Sequence, residues 1–360
     1  MLKKLKNITE KGERAMAMDE RKQRILQAIV ALYAMEGEPV GSGLLCRYLD
    51  DLAVSSATLR NEMAALTKLG LLEQPHTSAG RVPSAKGYRY YLDHLLPEDT
   101  KVPAKERTQI DAFFRDLDYE PEKLLRSAAR GLSELTGYTV VATMPRADDL
   151  CIAHFEVVQV GRYSAAVLAV TNTGGVRTRV ARVETGLSRE DAADLAMLLN
   201  QGLTFVSPAD LNSSLLEALA AALGSRGEAL YPVISAAAAL LSDAARPRAF
   251  VEGPQYLLQW PELTEYMPQI LSIFSNDETA GQMIRPPSNL TAVFLGEDMQ
   301  PPMPGLCVVS KRYLAGGGLR GSIALIGPAR MPFKQLIPRL EAFALKLGEC
   351  MSGKIQEDNQ

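Results

Sequence analysis

Apolar residues recur at helical spacing through the first hundred positions. In "ERKQRILQAIVALYAME", Ile25, Ile29 and Leu32 fall on one face of a helix, which Gly37 ends. Two further helices are predicted over "SGLLCRYL", capped by its serine, and "SATLRNEMAALTKLG", capped by one of two preceding serines. A strand, "LLEQ", a turn, a second strand and a capped helix, "AKGYRYYLDHLL", follow. This order predicts a winged helix-turn-helix over residues 18–96.

The third predicted helix has two different faces. Its apolar face carries Leu59, Met63, Leu66 and Leu69. Its other face is narrow, built on small and cationic residues: Ala57, Arg60, Asn61, Ala64 and Lys68. Small residues let a helix approach the floor of the major groove, where Arg pairs with guanine and Asn with adenine. In an isolated helix this face would be an ordinary solvated one, but the neighbouring helix and hairpin favour DNA recognition.

The segment "PHTSAGRVPSAKGYR", residues 75–89, suggests either a phosphate-cradling loop or a rigid hairpin. A nucleotide loop requires G-x-x-x-x-G-K-[ST] spacing, which Gly80 and Gly87 do not provide. We therefore predict a wing in which Gly80 makes the turn and Arg81 faces outward to phosphates or the minor groove. The complete set of predicted DNA contacts is Ser55, Ser56, Thr58, Arg60, Asn61, Lys68, Thr77, Ser78, Gly80, Arg81, Lys86 and Arg89.

The remainder of the chain predicts an α+β domain interrupted by a helical insertion. A linker is predicted over residues 97–104, which comprise "PEDTKVP" and Ala104. Strands with a turn at Gly161 precede a helix with Ser188 at its cap, alanine-rich helices follow, and strands return from Leu290. We predict a body made of residues 105–207 and 278–352, and an insert made of residues 208–277.

Charge and cysteine content narrow the function classes. Up to Leu95 the chain holds 14 Lys and Arg against 11 Asp and Glu, a net charge of +3, and the rest holds 25 against 31, a net charge of −6. A basic N-terminal third on an acidic body is typical of a nucleic-acid reader with a regulatory body. The four cysteines form no C-x-x-C pair, which fits reduced thiols in a cytoplasmic protein. No apolar run reaches the ~20 residues of a membrane span.

No enzyme, cofactor or metal site is predicted. The glycine loop "GGGLRG", residues 316–321, precedes a strand rather than a helix, so it reads as a hairpin loop instead of a dinucleotide site. The three histidines show no metal-ligand spacing. Neither a catalytic triad nor paired carboxylates can be argued from the spacing.

Four segments resemble one known family: "PVGSGLL", "VSSATLRNEMAAL", "GLLEQPHTSAGRVPSAKGYRYYLDHL" and "GSIALIGPARM". They are similar to the HrcA family of heat-inducible transcription repressors over residues 18–351. The resemblance implies a winged-helix DNA reader, a GAF-like domain and a dimerising domain inserted into it. It also implies a homodimer on an inverted-repeat, double-stranded DNA operator of chaperone operons, kept active by the GroEL chaperonin.

The chain departs from the family pattern at several positions. Gly43 stands where relatives often have a basic residue, and Thr67 where an acidic one is usual. Pro332 and Phe333 follow Met331 in place of Asp-Tyr. Residues 1–17 precede the usual start and are either a basic arm or a misassigned start. A GAF-like fold also keeps a second hypothesis open, a regulator gated by a small ligand.

Overall fold

The computed structural model describes residues 18–52, 54–76, 79–97, 101–146, 151–172, 174–206, 210–245 and 248–353. The predicted extension, residues 1–17, lies outside these ranges. The N-terminal unit, residues 18–97, comprises α1 (Glu20–Glu36), α2 (Ser42–Tyr48), a 3-10 turn (Asp50–Leu52), α3 (Ser56–Lys68), β1 (Leu72–Glu73), β2 (Val82–Pro83), α4 (Ala85–Tyr90) and a π-helical turn (Tyr91–Leu95). This order is the one predicted for a winged helix-turn-helix.

Local sequence signals explain most boundaries of the N-terminal unit. Asp19 caps α1 by accepting the Lys22 N–H at 2.8 Å, and Gly37 ends the helix with a φ of 73°. Ser42 differs from the prediction: it is the first residue of α2, whose cap is Gly41, and it makes no capping hydrogen bond. Its hydroxyl faces α3 instead, so it joins two helices rather than opening one.

The body contains an antiparallel sheet covered by helices on both faces. Its strands are β3 (Thr139–Thr143), β7 (Ala249–Glu252), β8 (Ala292–Leu295), β9 (Leu306–Leu314) and β10 (Arg320–Pro328). Within the described ranges the strand order is β7-β3-β10-β9-β8. The helices are α5 (Ala104–Arg115), α6 (Pro121–Thr136), α10 (Met267–Phe274), α11 (Asp277–Met283) and α12 (Phe333–Met351). The glycine loop at residues 316–318 joins β9 to β10 as a hairpin, as predicted.

A separate unit, here called the insert, lies between β3 and β7. It comprises β4 (Ile152–Gly161), β5 (Ser164–Thr171), β6 (Val176–Arg182), α7 (Arg189–Gly202), α8 (Ser213–Ala222) and α9 (Gly227–Ala245). The predicted turn at Gly161 and the predicted cap at Ser188 are confirmed, and Asp191 completes a capping box with Ser188. Its strands form their own sheet, β4-β5-β6, and its apolar residues form their own core.

The observed insert differs from the predicted one in both bounds. The prediction began it at residue 208 and ended it at residue 277. The separate core instead starts at Ile152, because the strands assigned to the body pack on α7 and α9. The chain returns to the body sheet at residues 249–252, where β7 pairs with β3. Alternating strands look alike whichever sheet they join, so the sequence pattern did not separate them.

The N-terminal unit is packed directly on the body. Apolar residues of α1, α3 and α4 share one continuous core with α5, α6, α12 and the facing side of the sheet. Tyr88 of α4 meets Phe333 of α12 edge-on, with ring centroids 6.2 Å apart. The orientation of the N-terminal unit is therefore fixed by buried contacts as well as by the chain connection.

Candidate nucleic-acid interface

The two faces of α3 are sorted as its sequence predicts. Leu59, Met63 and Leu66 are buried in the core, while Arg60, Asn61 and Lys68 are exposed. None of these three exposed side chains has a hydrogen bond or ion pair to another residue that the structure describes. Leu69 differs from the prediction: it is 39% exposed, because the helix has ended and the chain turns away at Gly70. The exposed stripe of α3 is thus available to a partner.

The N-termini of α2 and α3 lie side by side. The Ser56 hydroxyl donates to the Ser42 hydroxyl at 3.0 Å, which joins the two first turns. Ser55 is the cap of α3: its Oγ accepts the Thr58 N–H at 3.1 Å and lies 3.0 Å from Thr58 Oγ1. Unpaired backbone N–H groups and helix dipoles at such ends favour phosphate oxygens. The sequence analysis predicted contacts at Ser55, Ser56 and Thr58, and the fold places Ser42 at the same edge, which the sequence alone does not show.

The wing is anchored to the start of α2. Val40 and Arg81 exchange two backbone hydrogen bonds of 2.9 Å, beside the β1–β2 pair. A Cβ on Gly80 would lie 2.3 Å from the Val40 carbonyl oxygen, so glycine is required there by close approach. Gly80 has no positive φ, so the close approach to Val40, rather than a left-handed backbone, accounts for the glycine. The predicted contacts at Thr77 and Ser78 lie outside the described residues.

The Arg81 side chain lies against α3 rather than pointing outward. Its Nε donates to Thr67 Oγ1 on α3 at 3.1 Å, and its side chain is half-buried. The prediction of an outward guanidinium overlooked this partner, because Thr67 lies on α3, fourteen positions before Arg81 in the chain. The contact ties the hairpin to the last turns of α3, so the two elements form one continuous surface.

The two cations of α4 have structural partners. Lys86 Nζ donates to the Leu69 carbonyl at 2.9 Å, which stabilises the C-terminal end of α3. Arg89 faces the body: its guanidinium donates to the Val293 carbonyl at 3.0 Å and pairs with the Asp298 carboxylate. Arg89 was predicted to extend the DNA contact, but its place on α4 directs it toward β8. It is therefore not part of the exposed stripe.

Acidic residues near α3 are neutralised by neighbouring cations. Glu62 pairs with Lys22 at 3.2 Å and with Arg21 at 3.7 Å, both on α1. Hydrogen bonds to Asp19 and then to Glu62 raise the pKa of Lys22. Because these carboxylates are paired, Arg60 and Lys68 dominate the charge of the outer face. Arg47, exposed at the end of α2 and without a partner in the described part of the chain, adds a cation that the sequence did not single out.

An exposed helix of small and cationic residues, beside a hairpin and fixed to an α+β body, is the arrangement that the sequence analysis predicted for a transcription regulator. The sequence profile of the "HrcA protein C terminal domain" matches residues 122–337. The heat-inducible transcription repressor HrcA of Moorella thermoacetica is 34% identical, over 93% of this chain and 98% of the relative. That of Halalkalibacterium halodurans is 32% identical over 94% and 99%. The chain belongs to the HrcA family.

A solved structure supports the same fold. The crystal structure of a hypothetical protein matches with a TM-score of 0.57 and 24% identity, covering 93% of this chain and 99% of that one. The HrcA relatives are transcription repressors rather than enzymes. Among the described residues no group of His, Cys, Asp and Glu could hold a metal ion, and none of the described helices is long and apolar enough to cross a membrane.

Proposed function

We propose that this protein represses chaperone operons by binding an inverted-repeat operator as a homodimer in the bacterial cytoplasm. The observation that carries the proposal is the exposed stripe of α3, in which Arg60, Asn61 and Lys68 point away from the core without partners in the described ranges. Membership of the HrcA family supports the proposal that the genes it represses are heat-inducible. The operator, the dimer and the chaperonin are the parts that need experiment.

In this proposal α3 enters the major groove. Arg60 and Asn61 lie on adjacent positions of the exposed stripe, and each offers a bidentate pairing, Arg with guanine and Asn with adenine. Ser55, Ser56 and Thr58 contact the phosphates beside the N-terminus of α3, and Lys68 contacts a phosphate near its C-terminus. A two-fold dimer would present two such helices to half-sites whole helical turns apart.

The wing supplies a second, less specific contact. Gly80 and Arg81 place the hairpin beside α3 through the Val40 bridge and the Thr67 hydrogen bond. In the complex the Arg81 guanidinium keeps its bond to Thr67 through Nε and turns its remaining N–H groups to the DNA backbone. Thr77 and Ser78 are proposed as backbone contacts from their position in the sequence alone.

The test compares specific and random DNA. Arg60→Ala should weaken operator binding by about 1–3 kcal/mol and relax the preference at one base pair. Arg107→Ala is the matched control, since Arg107 is an exposed arginine on α5 and its removal changes the net charge equally. Footprinting and binding titrations on the organism's chaperone promoters give both values. Equal binding of wild type and Arg60→Ala to both kinds of DNA would refute the role of α3.

Control by the chaperonin is proposed as the heat-sensing step. Heat unfolds other proteins, these occupy GroEL, and the repressor loses the partner that keeps it folded. Adding GroEL to the repressor should then raise operator occupancy, and titrating GroEL with an unfolded protein should lower it. Occupancy that ignores both treatments would contradict the mechanism. A small molecule that raises the melting temperature of the body would favour a ligand-gated regulator instead.

A further inference from the structure

A small pocket opens at one end of the body sheet, on the face that α11 covers. Four arginines line it: Arg146, which follows β3, Arg285, which follows α11, Arg312 on β9 and Arg320 at the start of β10. Its volume is about 60 Å³, well above the ~10–15 Å³ that one water requires. None of these arginines belongs to the proposed DNA contacts.

Backbone pairing places two of these arginines directly opposite each other. Arg146 and Arg320 form an antiparallel bridge, in which the Arg320 N–H donates to the Arg146 carbonyl at 2.8 Å and the Arg146 N–H donates to the Arg320 carbonyl at 3.0 Å. The side chains of such a pair lie on the same face, with Cβ atoms about 5 Å apart. Because like charges at this spacing repel each other, the pair favours an anion between its side chains.

The register of the sheet brings Arg312 to the same pocket. Ser322 is the register partner of Arg312, and Arg320 lies two residues before Ser322, so the three side chains share one face. The Pro286 carbonyl holds the Arg312 guanidinium, since Nε donates to it at 3.1 Å and Nη2 at 2.7 Å. Pro286 directly follows Arg285, so this contact also fixes the chain beside the fourth arginine.

The floor of the pocket carries a hydroxyl that no described residue satisfies. Ser322 is only 7% exposed, and while its backbone N–H donates to Thr143 Oγ1 at 3.0 Å, its hydroxyl has no hydrogen bond to another described residue. The unpartnered side-chain nitrogens of Trp260 and Gln269 are sealed in the interior, but the Ser322 hydroxyl keeps accessible surface and lines the pocket. A hydroxyl left unpaired at this depth is costly, so an acceptor that reaches it is favoured.

The donors around the pocket favour a phosphate group over a carboxylate. Arg146, Arg285 and Arg320 each already have an interaction partner in the chain, but a guanidinium has several N–H donors and can serve more than one partner. A carboxylate offers only two acceptor oxygens, whereas a phosphate monoester offers three and a charge of about −1.5 to −2 at pH 7. The small volume admits the phosphate group alone, so the rest of an ester would remain outside the pocket.

We propose that this pocket binds a phosphate group, either as inorganic phosphate or as the end of a small phosphate monoester. The guanidinium groups of Arg146, Arg312 and Arg320 would donate to its oxygens, and the Ser322 hydroxyl would donate to the deepest one. The bound group would join β3, β9 and β10 at the end of the body sheet. Its affinity can be measured without DNA, so the outcome is independent of the proposed operator binding.

The experiment titrates inorganic phosphate, ribose 5-phosphate and ribose into the full-length protein by calorimetry, in a phosphate-free chloride buffer. We expect saturable binding of both phosphates, one per chain, and no binding of ribose. Tighter binding of ribose 5-phosphate would assign the site to a phosphorylated metabolite, and equal binding would assign it to inorganic phosphate.

Three substitutions at the pocket test the assignment of its residues. Arg146→Gln and Arg320→Gln should each weaken phosphate binding about tenfold, and Ser322→Ala should weaken it about three- to tenfold. Arg177→Gln is the matched control, because it removes an exposed arginine on β6 of the insert and should leave the affinity unchanged. Melting curves of each variant establish that it is folded.

Several results would overturn the proposal. The wild type would show no saturable phosphate binding if a carboxylate of the chain itself fills the pocket. A loss of affinity in Arg177→Gln as large as in Arg320→Gln would mean that the anions respond to net charge alone. Wild-type affinity in Ser322→Ala would place the anion on the surface rather than in the pocket.

Discussion

The substitution Gly87→Ala has two opposing effects on the free energy of unfolding, a gain in helix propensity and a steric clash. Gly87 lies inside α4, where alanine is favoured over glycine by about 1 kcal/mol. However, a Cβ on Gly87 would lie 2.0 Å from the Leu71 carbonyl oxygen, far inside van der Waals contact. That carbonyl belongs to the backbone and accepts the Ser84 N–H at 3.2 Å, so it cannot move without breaking a bond worth about 1 kcal/mol. Overpacking adds about 1–3 kcal/mol.

The sum predicts that Gly87→Ala lowers the free energy of unfolding by about 1–3 kcal/mol. Gly43→Ala is the matched control, because Gly43 lies in α2 and nothing lies within 4 Å of its added Cβ. It should raise the stability by about 0.5–1 kcal/mol. Urea denaturation monitored by circular dichroism gives both values. A Gly87→Ala protein as stable as wild type would contradict the close approach of Gly87 to the Leu71 carbonyl.

Other substitutions separate packing from DNA contact. Leu66→Ala, at a fully buried position of α3, should lower the unfolding free energy by about 2–5 kcal/mol in the same urea experiment. Lys68→Ala should leave stability unchanged but reduce the slope of log affinity against log salt by about 1, measured by fluorescence anisotropy on operator DNA. Arg89→Ala should leave that slope unchanged, since Arg89 faces the body. A smaller slope in this variant would show that Arg89 contacts DNA after all. Burial acts to raise the pKa of Asp191, but hydrogen bonds from Ser188 outweigh it, so the folded pKa lies below the ordinary 3.8. The ionised Asp191 therefore contributes to the free energy of unfolding above about pH 4, and this contribution is lost as the pH falls through the folded pKa. The difference in unfolding free energy between wild type and Asp191→Ala should therefore become smaller as the pH falls below about 4. A difference that stays constant from pH 6 to pH 3 would contradict a lowered folded pKa.

The N-terminal unit could be predicted closely because its signals are local. Helix periodicity placed Leu59 and Leu66 inside and Arg60 outside. The cap of α3 is Ser55, one of the two serines that the sequence offered, and Ser84 caps α4 directly before its predicted start. These features depend on residues three or four positions apart. The orientation of Arg89 depends on Asp298, some two hundred residues later, and no spacing rule reaches that far.

The body and insert were harder to predict because sheets are built from distant segments. The alternation in β4–β6 was recognised, but alternation does not say which sheet a strand joins. The same limit applies to the docking of the N-terminal unit on the body. Tyr88 packs edge-on against Phe333, a residue of α12 near the end of the chain, and no spacing rule connects the two.

The antiparallel pairing of β3 with β7 has a consequence for the order of folding. Thr143 and Ala249 are register partners, so the chain leaves and re-enters the body sheet at neighbouring points, with the whole insert between them. In an unfolded chain, closing so long a loop costs entropy that grows with its length. An insert that collapses first around its own core brings these two ends together and removes much of that cost. Early folding of the insert would thus hold the ends of β3 and β7 close together, so that the edge strand β7 can pair with β3.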